Sequence, residues 1–587
     1  MNIGHINEGG TVVHVIQDGM RIDWDVELVM DDGVVIRADV FRPIEEGQYP
    51  LLLTYGPYGK FLHFKDGYAG QWRIMNNKYS YALEGSTNKY MNWETVDPEK
   101  WVCDDYIVVR VDSRGAGCSE GKIDCWSPRE FQDIYNCIEL FAQQPYCNGK
   151  VGMLGISYYA VTQWNAAALN PPHLAAICPF EGANDMYRDV GRHGGLVCNF
   201  ADIWWTKQVD RLQHGSGDTD PNVISMVEDK RVTGHQILSK EELMENRCPK
   251  LSEVFVEREM LDDWYKSRTA DLSRINIPVL SCGNWGGNGL HLRGNVEGYM
   301  RAGTDQKWLE IHGLEHFTEF YTPYGLDLQK RFFNHFLKGM DTWHQAPVHL
   351  RLRKVDGTFV DRDEQEWPIA RTEYTKFYLD LKNQRLTTDE SEDGEATFAA
   401  MSNGLSFFTP PLEKELEITG HVAAKLFVKS STSDADLFVT LRVVDPDGKD
   451  FTVVSAGDPK GTVASGWLRA SHRKLDPEMS LPYRPWHTHD EKQPLVPGEL
   501  YELDVEVWPT SVIIPAGYRL GVAISGRDFE IPNYGAAMRT PSGIPYSGCG
   551  VYTHTADRPN DVFNGDTTLV SKEDQRSYLL LPVIPEK

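Results

Sequence analysis

Apolar positions in the first 345 residues fall into two alternating periods. Residues 11–43 alternate apolar and polar in the manner of strands, with Asp31-Asp32-Gly33 as a turn. Gln48–Tyr55 and Tyr106–Asp112 are continuous apolar runs of buried-strand length, and each ends in a glycine-rich loop, Gly56–Lys60 and Ser113–Gly121. Glu130–Ala142 then carries its apolar residues at helical spacing. A strand to Gly155, a helix over Ala160–Leu169 and a strand over His173–Pro179 follow. The pattern resumes with strands at Ile277–Gly283 and Lys307–Ile311, and closes with a helix, Leu326–Leu337, capped by Gly339. Strands alternating with helices of this length predict a mainly parallel sheet with crossover helices. Ligands of such sheets bind at the carboxyl ends of the strands, where the loops just named lie.

Two stretches break the alternation. Residues 185–269 are rich in Trp, His, Met and charge, with helical runs such as Lys240–Glu245 and Leu251–Met260, and read as a helical cap inserted over the sheet. From 346 onward short alternating strands recur between turns such as Asp445–Gly448, which predicts an all-β domain of the sandwich or jelly-roll kind. The expected organisation is an α/β domain over 1–184 and 270–345, a cap over 185–269 and a β domain over 346–587.

The junction at Gly155-Ile156-Ser157-Tyr158-Tyr159-Ala160 has the strand, sharp corner and helix that a nucleophile elbow needs. Small residues are required where the strand and helix backbones approach, and Gly155 and Ala160 supply them. The full Gly-x-Ser-x-Gly pattern is incomplete, because Tyr159 stands at the second glycine.

Composition removes several classes of function. A net charge of −26, spread along the chain, argues against nucleic acid and anionic membranes as partners. No apolar run approaches the roughly 18 residues of a membrane span. The residues Met1–Asn7 show no basic region followed by an apolar one, so no signal peptide is expected. Ten scattered cysteines without Cys-x-x-Cys spacing read as free thiols of a cytoplasmic protein.

A serine nucleophile needs a base, expected on a later loop at the same sheet edge. His316 follows the last sheet strand, His312 shares its loop, and His291 lies after strand 277–283. His316 is the expected base. His312-Gly313-Leu314-Glu315-His316 matches a His-x-x-Glu-His zinc pattern, but that motif needs a helix, and here a strand precedes it and a glycine interrupts it. Gly115–Gly121 has dinucleotide-loop glycines at the wrong spacing and no helix after them. No metal and no cofactor is therefore expected.

Several segments together resemble the serine hydrolase family that includes cocaine esterase, α-amino-acid ester hydrolases and X-prolyl dipeptidyl-peptidases. They are Pro57-Tyr58-x-Lys60, Asp112-Ser113-Arg114-Gly115 with Ser119-Glu120-Gly121, and Gly155-x-Ser157-Tyr158. Further along come Pro179-x-Glu181-Gly182, Asp185-x-Tyr187-Arg188, Gly289-Leu290-His291-x-Arg293-Gly294 and Phe332–Gly339, and in the β domain Leu468–Arg473 and Pro509–Arg519. The resemblance implies an α/β-hydrolase domain, a helical cap and a C-terminal jelly roll. It assigns Ser157 as nucleophile and His316 as base, with the Tyr58 hydroxyl and the Tyr158 backbone N–H as the oxyanion hole. It also implies an aspartate after strand 277–283, where this chain has Gly287 by motif and Asn288 by spacing. Glu181, just past the strand 173–179 that should neighbour the elbow strand, is the first candidate to replace it, and Asn288 is the alternative.

The expected function is hydrolysis of an ester or amide of a small molecule through an acyl-enzyme. Acyl transfer, X-prolyl or aminoacyl peptidase activity and a degenerate ligand-binding scaffold are the alternatives. Trp204 and Trp205 in the cap are expected to shape the substrate pocket, and self-association is left open.

Overall fold

The computed structural model describes residues 5–7, 13–217, 219–532 and 547–585. The absence of a signal peptide was read from a segment whose residues 1–4 lie outside the described residues, as do residues 11–12 of the first alternating stretch.

Twelve strands form the first sheet among the described residues. The N-terminal strands β1 (His5–Asn7) and β2 (Val13–Gln17) both pair with β3 (Met20–Val29), which pairs with β4 (Val35–Arg42) around the turn at Asp31–Gly33. Then come β5 (Tyr49–Gly56), β6 (Ile107–Asp112), β7 (Cys147–Ile156) and β8 (Leu174–Phe180). Within the segment 185–269, β9 (Arg192–His193) and β10 (Leu196–Val197) form a small separate hairpin. The first sheet resumes with β11 (Val279–Asn284), β12 (Lys307–His312), β13 (Val348–Arg353) and β14 (Phe359–Glu364). Its spatial order is β1-β3-β4-β6-β5-β7-β8-β11-β12-β13-β14, parallel from β6 to β13. The fully apolar runs are the central strands, as burial on both faces by crossover helices requires.

The sheet does not stop at residue 345. β13 continues it in parallel beside β12, and β14 turns back along β13 as its antiparallel edge. The second sheet begins at Glu373. It comprises eleven strands up to Ile584. Leu416–Ser430 pairs with Tyr501–Ile514 and with Tyr578–Ile584, and the latter also pairs with Glu373–Asp380, so the pairing path closes into a barrel around its own apolar core. This is a C-terminal all-β domain.

The helices fall where the periodicity places them. Pro128–Ala142 is capped by Ser127, whose side chain accepts from the Glu130 N–H. Pro323–Lys338 ends at Gly339 with φ 72°, the left-handed cap for which glycine has no steric penalty. The segment 185–269 holds short helices, among them Phe200–Trp204, Lys240–Glu245 and Leu251–Glu257, together with the β9–β10 hairpin. Among the described residues no helix is long and apolar enough to cross a membrane.

Candidate active site

β7 ends at Ile156, and the helix Tyr158–Ala168 begins one residue later. Ser157 between them has φ 58° and ψ −113°, a conformation that costs a non-glycine residue on the order of 1–3 kcal/mol. The corner is held from both sides: the Ser157 N–H donates to the Phe180 carbonyl, and its own carbonyl accepts from Ala160 and Val161. Ser157 is half-buried while its neighbours on both sides are buried. The Gly182 backbone lies so close to Ala160 that a Cβ there would come within 2.6 Å of the alanine methyl. Tyr159 replaces the pattern's second glycine without a clash because its ring takes the space left by Gly56 at the end of β5, where a Cβ would sit 2.7 Å from the ring.

The loop after β5 carries Tyr58. It is anchored by Lys60, whose buried ammonium meets Asp25 at 3.1 Å and Asp39 at 3.0 Å, while its backbone N–H donates to Asp112. Tyr58 is buried and packs edge-on against Tyr158 and Tyr159. Its hydroxyl accepts from Trp204 Nε1 at 2.9 Å and has no acceptor for its own proton among the described residues. Burial holds the phenol far above its ordinary pKa, so that proton stays on oxygen. The Tyr158 N–H, first in its helix, has no intrahelical carbonyl to meet. The Tyr158 side chain turns elsewhere, its hydroxyl donating to Glu130.

Trp204 is buried, stacked on Trp126 at 5.0 Å, and touches the site through Tyr58 rather than as an open substrate wall. Trp205 is fully buried and donates to Asp210 at 2.7 Å, away from Tyr58. Both rings, expected to shape the substrate pocket, are thus packed inside the segment 185–269, with Trp204 alone in contact with Tyr58.

Glu181 follows β8 directly. Its backbone has φ 48°, and its N–H donates to Cys282 of β11. That places its carboxylate between His312 at the end of β12 and His316 in the loop after it: Oε2 lies 2.7 Å from His316 Nδ1 and Oε1 lies 3.3 Å from His312 Nε2. Asn284 Nδ2 also donates to Oε1, at 3.1 Å. Burial opposes the charge of Glu181, but the two imidazoles outweigh it and hold the carboxyl well below the usual carboxylate range. His312 is gripped on its other side by Glu310 at 2.7 Å, and Glu315 pairs with Lys78, so the His-x-x-Glu-His run does not act as one helical face.

Asn288, the other candidate for the acid's place, makes no hydrogen bond to His316. It lies at a small cavity with Ser455, Trp467, Cys549 and Tyr552, its buried Oδ1 unpartnered. The tight turn at Gly287, closed by its N–H to the Asn284 carbonyl, sends the following side chain away from β12.

Two further residues enter the site: Glu94, which is no candidate in the sequence, and His291, which the sequence ranks behind His316 as the base. Glu94, in the loop before Pro98–Val102, has φ 62° and accepts the Ile156 N–H on its carbonyl, which presses it against the strand just before Ser157. Its Oε1 lies 2.9 Å from His316 Nε2. Burial pushes its carboxyl up to about 7. His316 is thus held between two carboxylates; burial works against its charge, yet Glu181 and Glu94 push it up to about 10. His291, at the head of the helix Leu292–Arg301, places Nε2 3.1 Å from Ser157 Oγ. Its ring stacks on that of His316 with centroids 4.8 Å apart, and its Nδ1 is buried without a partner. Burial, and then the proximity of His316, hold His291 well below its ordinary pKa. The structure therefore brings Ser157, Tyr58, Glu181 and His316 together with His291 and Glu94, and places Asn288 and Trp205 elsewhere.

A strained serine on a strand-to-helix corner, with a buried carboxylate and two histidines on the next three strand ends, defines an α/β-hydrolase. The description X-Pro dipeptidyl-peptidase (S15 family) matches residues 32–318, and X-Pro dipeptidyl-peptidase C-terminal non-catalytic domain matches residues 342–547. A crystal structure of a CocE/NonD family hydrolase from Staphylococcus aureus superposes with a TM-score of 0.81 at 30% identity, covering 98% of this chain and 96% of that one. Cocaine esterase of a Rhodococcus species is 26% identical over 586 residues, spanning 89% of this chain and 93% of that protein. A putative serine esterase of Mycobacterium bovis is 24% identical over 604 residues, spanning 87% and 91%. The chain belongs to the CocE/NonD family of hydrolases.

Proposed function

We propose that this protein is a serine esterase or amidase that passes the acyl group of a small-molecule ester or amide through Ser157 to water. The observation that carries the reading is the 2.7 Å pair between His316 Nδ1 and Glu181, set beside the strained Ser157 corner. Ser157 Oγ attacks the substrate carbonyl and gives its proton to His316 Nε2, while Glu181 fixes the tautomer and stabilises the imidazolium. The Tyr58 O–H and the Tyr158 N–H receive the developing oxyanion, where preorganised donors supply much of the rate. His316 then protonates the leaving group, and a water molecule repeats the cycle on the acyl-enzyme. In the resting arrangement Glu94 occupies His316 Nε2 and His291 holds Ser157, so before the first step the Nε2 proton passes to Glu94, whose carboxyl burial pushes up to about 7, and the bared Nε2 takes the place of His291 at Ser157.

One observation favours His291 as the base, namely its direct contact with Ser157 at 3.1 Å. Against this, His291 has nothing on Nδ1 and lies against His316, so an imidazolium there lacks the direct carboxylate contact that Glu181 gives His316 at 2.7 Å. His316 is the better seat for the proton. All ten cysteines are unpaired, which favours a reducing, cytoplasmic setting. We read the closed C-terminal sheet as a jelly roll and the segment 185–269 as the cap over the site.

The test is labelling with a fluorophosphonate, followed by turnover of p-nitrophenyl esters and of aminoacyl and X-prolyl p-nitroanilides. Stoichiometric labelling lost in Ser157→Ala, with turnover of one of these classes, is expected. Labelling that survives Ser157→Ala overturns the assignment.

A further inference from the structure

A second cluster of buried donors lies where the cap hairpin meets the C-terminal domain, and the mechanism does not use it. His193 closes β9, Cys198 follows β10, and His554 comes from the segment after residue 547. All three are fully buried, and one donor atom of each lies within 4.8 Å of the others.

The hydrogen bonds around the two imidazoles fix where their protons sit. Asp528 grips His554 twice, accepting its backbone N–H at 2.7 Å and facing Nδ1 at 2.8 Å. A carboxylate accepts, so Nδ1 carries the hydrogen and Nε2 is bare. On His193, Nε2 faces the Asp189 carbonyl at 3.2 Å. A carbonyl only accepts, so the hydrogen is there and Nδ1 is bare. The two bare nitrogens face each other at 2.8 Å. Two lone pairs at that distance repel unless a cation lies between them. Cys198, a third soft donor at the same point, selects a metal ion over a proton.

We propose that His193 Nδ1, His554 Nε2 and Cys198 Sγ bind one thiophilic metal ion, zinc in the first instance, that staples the cap hairpin to the C-terminal domain. The thiol gives its proton to solvent on binding, and the resulting thiolate with the Asp528 carboxylate balances a divalent charge. Asp528 on His554 is the carboxylate–histidine support that metal ligands commonly have. Zinc–nitrogen bonds of about 2.0–2.1 Å at a tetrahedral angle set the nitrogens about 3.3 Å apart, so the rings part by roughly half an ångström. One coordination position remains open.

The full-length protein is incubated with Zn²⁺, passed through a desalting column and analysed for metal by mass spectrometry; Co²⁺ is titrated in parallel. One metal per chain is expected, with a thiolate-to-cobalt absorption band in the near ultraviolet and a Tm that falls on chelation. Cys198→Ser should lose the band and bind at least tenfold more weakly, while His291→Gln, at the other histidine cluster, should retain both. Copper at the same stoichiometry, lost in the same variant, supports the site and changes the ion. Less than about one tenth of a metal per wild-type chain overturns the proposal, as does binding that Cys198→Ser leaves unchanged. Because wild type alone gives the stoichiometry and the cobalt band, an unfolded variant does not spare the idea. The cluster shares no residue with the Ser157 site, so the outcome is independent of the proposed hydrolysis.

Discussion

Glu181 Oε2 and His316 Nδ1 lie 2.7 Å apart, although one belongs to the end of β8 and the other to the loop after β12, with β11 between them. The aspartate expected after β11 is replaced at that position by glycine and asparagine, and a carboxylate reaches the same imidazole from one strand further in. The positive φ of Glu181 makes this possible, because it turns the side chain across the end of β11, where Asn284 and His312 receive it. A carboxylate thus meets the His316 ring from a different strand end than the resemblance implies.

If Glu181 orients His316, Glu181→Gln should lower kcat by on the order of 10³–10⁴, the range of acid-to-amide changes in Ser-His-Asp sites. Asn288→Ala should leave kcat within about threefold, since Asn288 makes no hydrogen bond to the histidine. Steady-state kinetics on a p-nitrophenyl ester checks both. A large loss in Asn288→Ala with little loss in Glu181→Gln contradicts the pairing.

Glu94 sets the pH range of the same histidine. His316 faces Glu181, Glu94 and the stacked ring of His291, and the two carboxylates hold its imidazolium up to about pH 10. A base must be unprotonated to act, so kcat/KM should climb with pH well beyond the ~6.5 of an ordinary histidine. Glu94→Gln removes one negative neighbour, lowers the proton affinity of His316 and should shift the rising limb at least about one pH unit lower. The measurement is kcat/KM from pH 6 to 10, with the free-ester background subtracted. Superimposable profiles show that Glu94 does not hold the base.

Much of this architecture is legible because its signals are local. The alternation of apolar runs with helical periods places the central strands within a residue or two, and the Gly155–Ala160 run marks the corner. Non-local facts are not legible. β13 and β14 have the pattern of any β strand, and only pairing with β12 assigns them to the first sheet. Glu94 sits in an irregular loop among other polar residues, and its role exists only because Ile156 docks on its carbonyl. A positive φ at a glutamate leaves no mark in composition, so Glu181 could be preferred to Asn288 only from its place past the strand beside the elbow, and its approach to His316 could not be read. Trp204 and Trp205 look alike in sequence, yet one donates to Tyr58 and the other to Asp210.

Tyr58 and Trp204 test the oxyanion hole as a pair. Tyr58→Phe removes the proposed donor and should cost on the order of 10²–10³ in kcat with little change in KM. Trp204→Phe keeps the stacking on Trp126 but removes the hydrogen bond that aims the hydroxyl. A neutral hydrogen bond contributes about 1 kcal/mol, so the expected loss is about threefold to tenfold. In the double variant the tryptophan change should have almost no further effect, because its target is gone. Full additivity of the two losses contradicts the assignment.

The last test separates the two histidines that stack beside Ser157. His291 touches Oγ at 3.1 Å, which is the contact expected of a base, but its other nitrogen is buried and bare. With Nε2 carrying the hydrogen, the ring donates to Oγ and only an acceptor goes unmet; with Nδ1 carrying it, a buried donor is orphaned, which is the costlier state. The first arrangement is therefore preferred, and in it His291 has no lone pair facing the serine with which to take a proton. His316 has that lone pair available once Nε2 has left its proton on Glu94, and Glu181 steadies the charge that results when Ser157 is deprotonated. His291→Gln keeps a donor of similar reach and should lower kcat by less than about tenfold. His316→Gln should lower it by at least about 10³, approaching the loss of Ser157→Ala. Fluorophosphonate labelling rates should rank the variants the same way, because phosphonylation needs the same proton removed from Ser157. If His291→Gln abolishes labelling while His316→Gln labels at a rate near wild type, the base is His291, and Glu181, His316 and Glu94 form a buried support behind it.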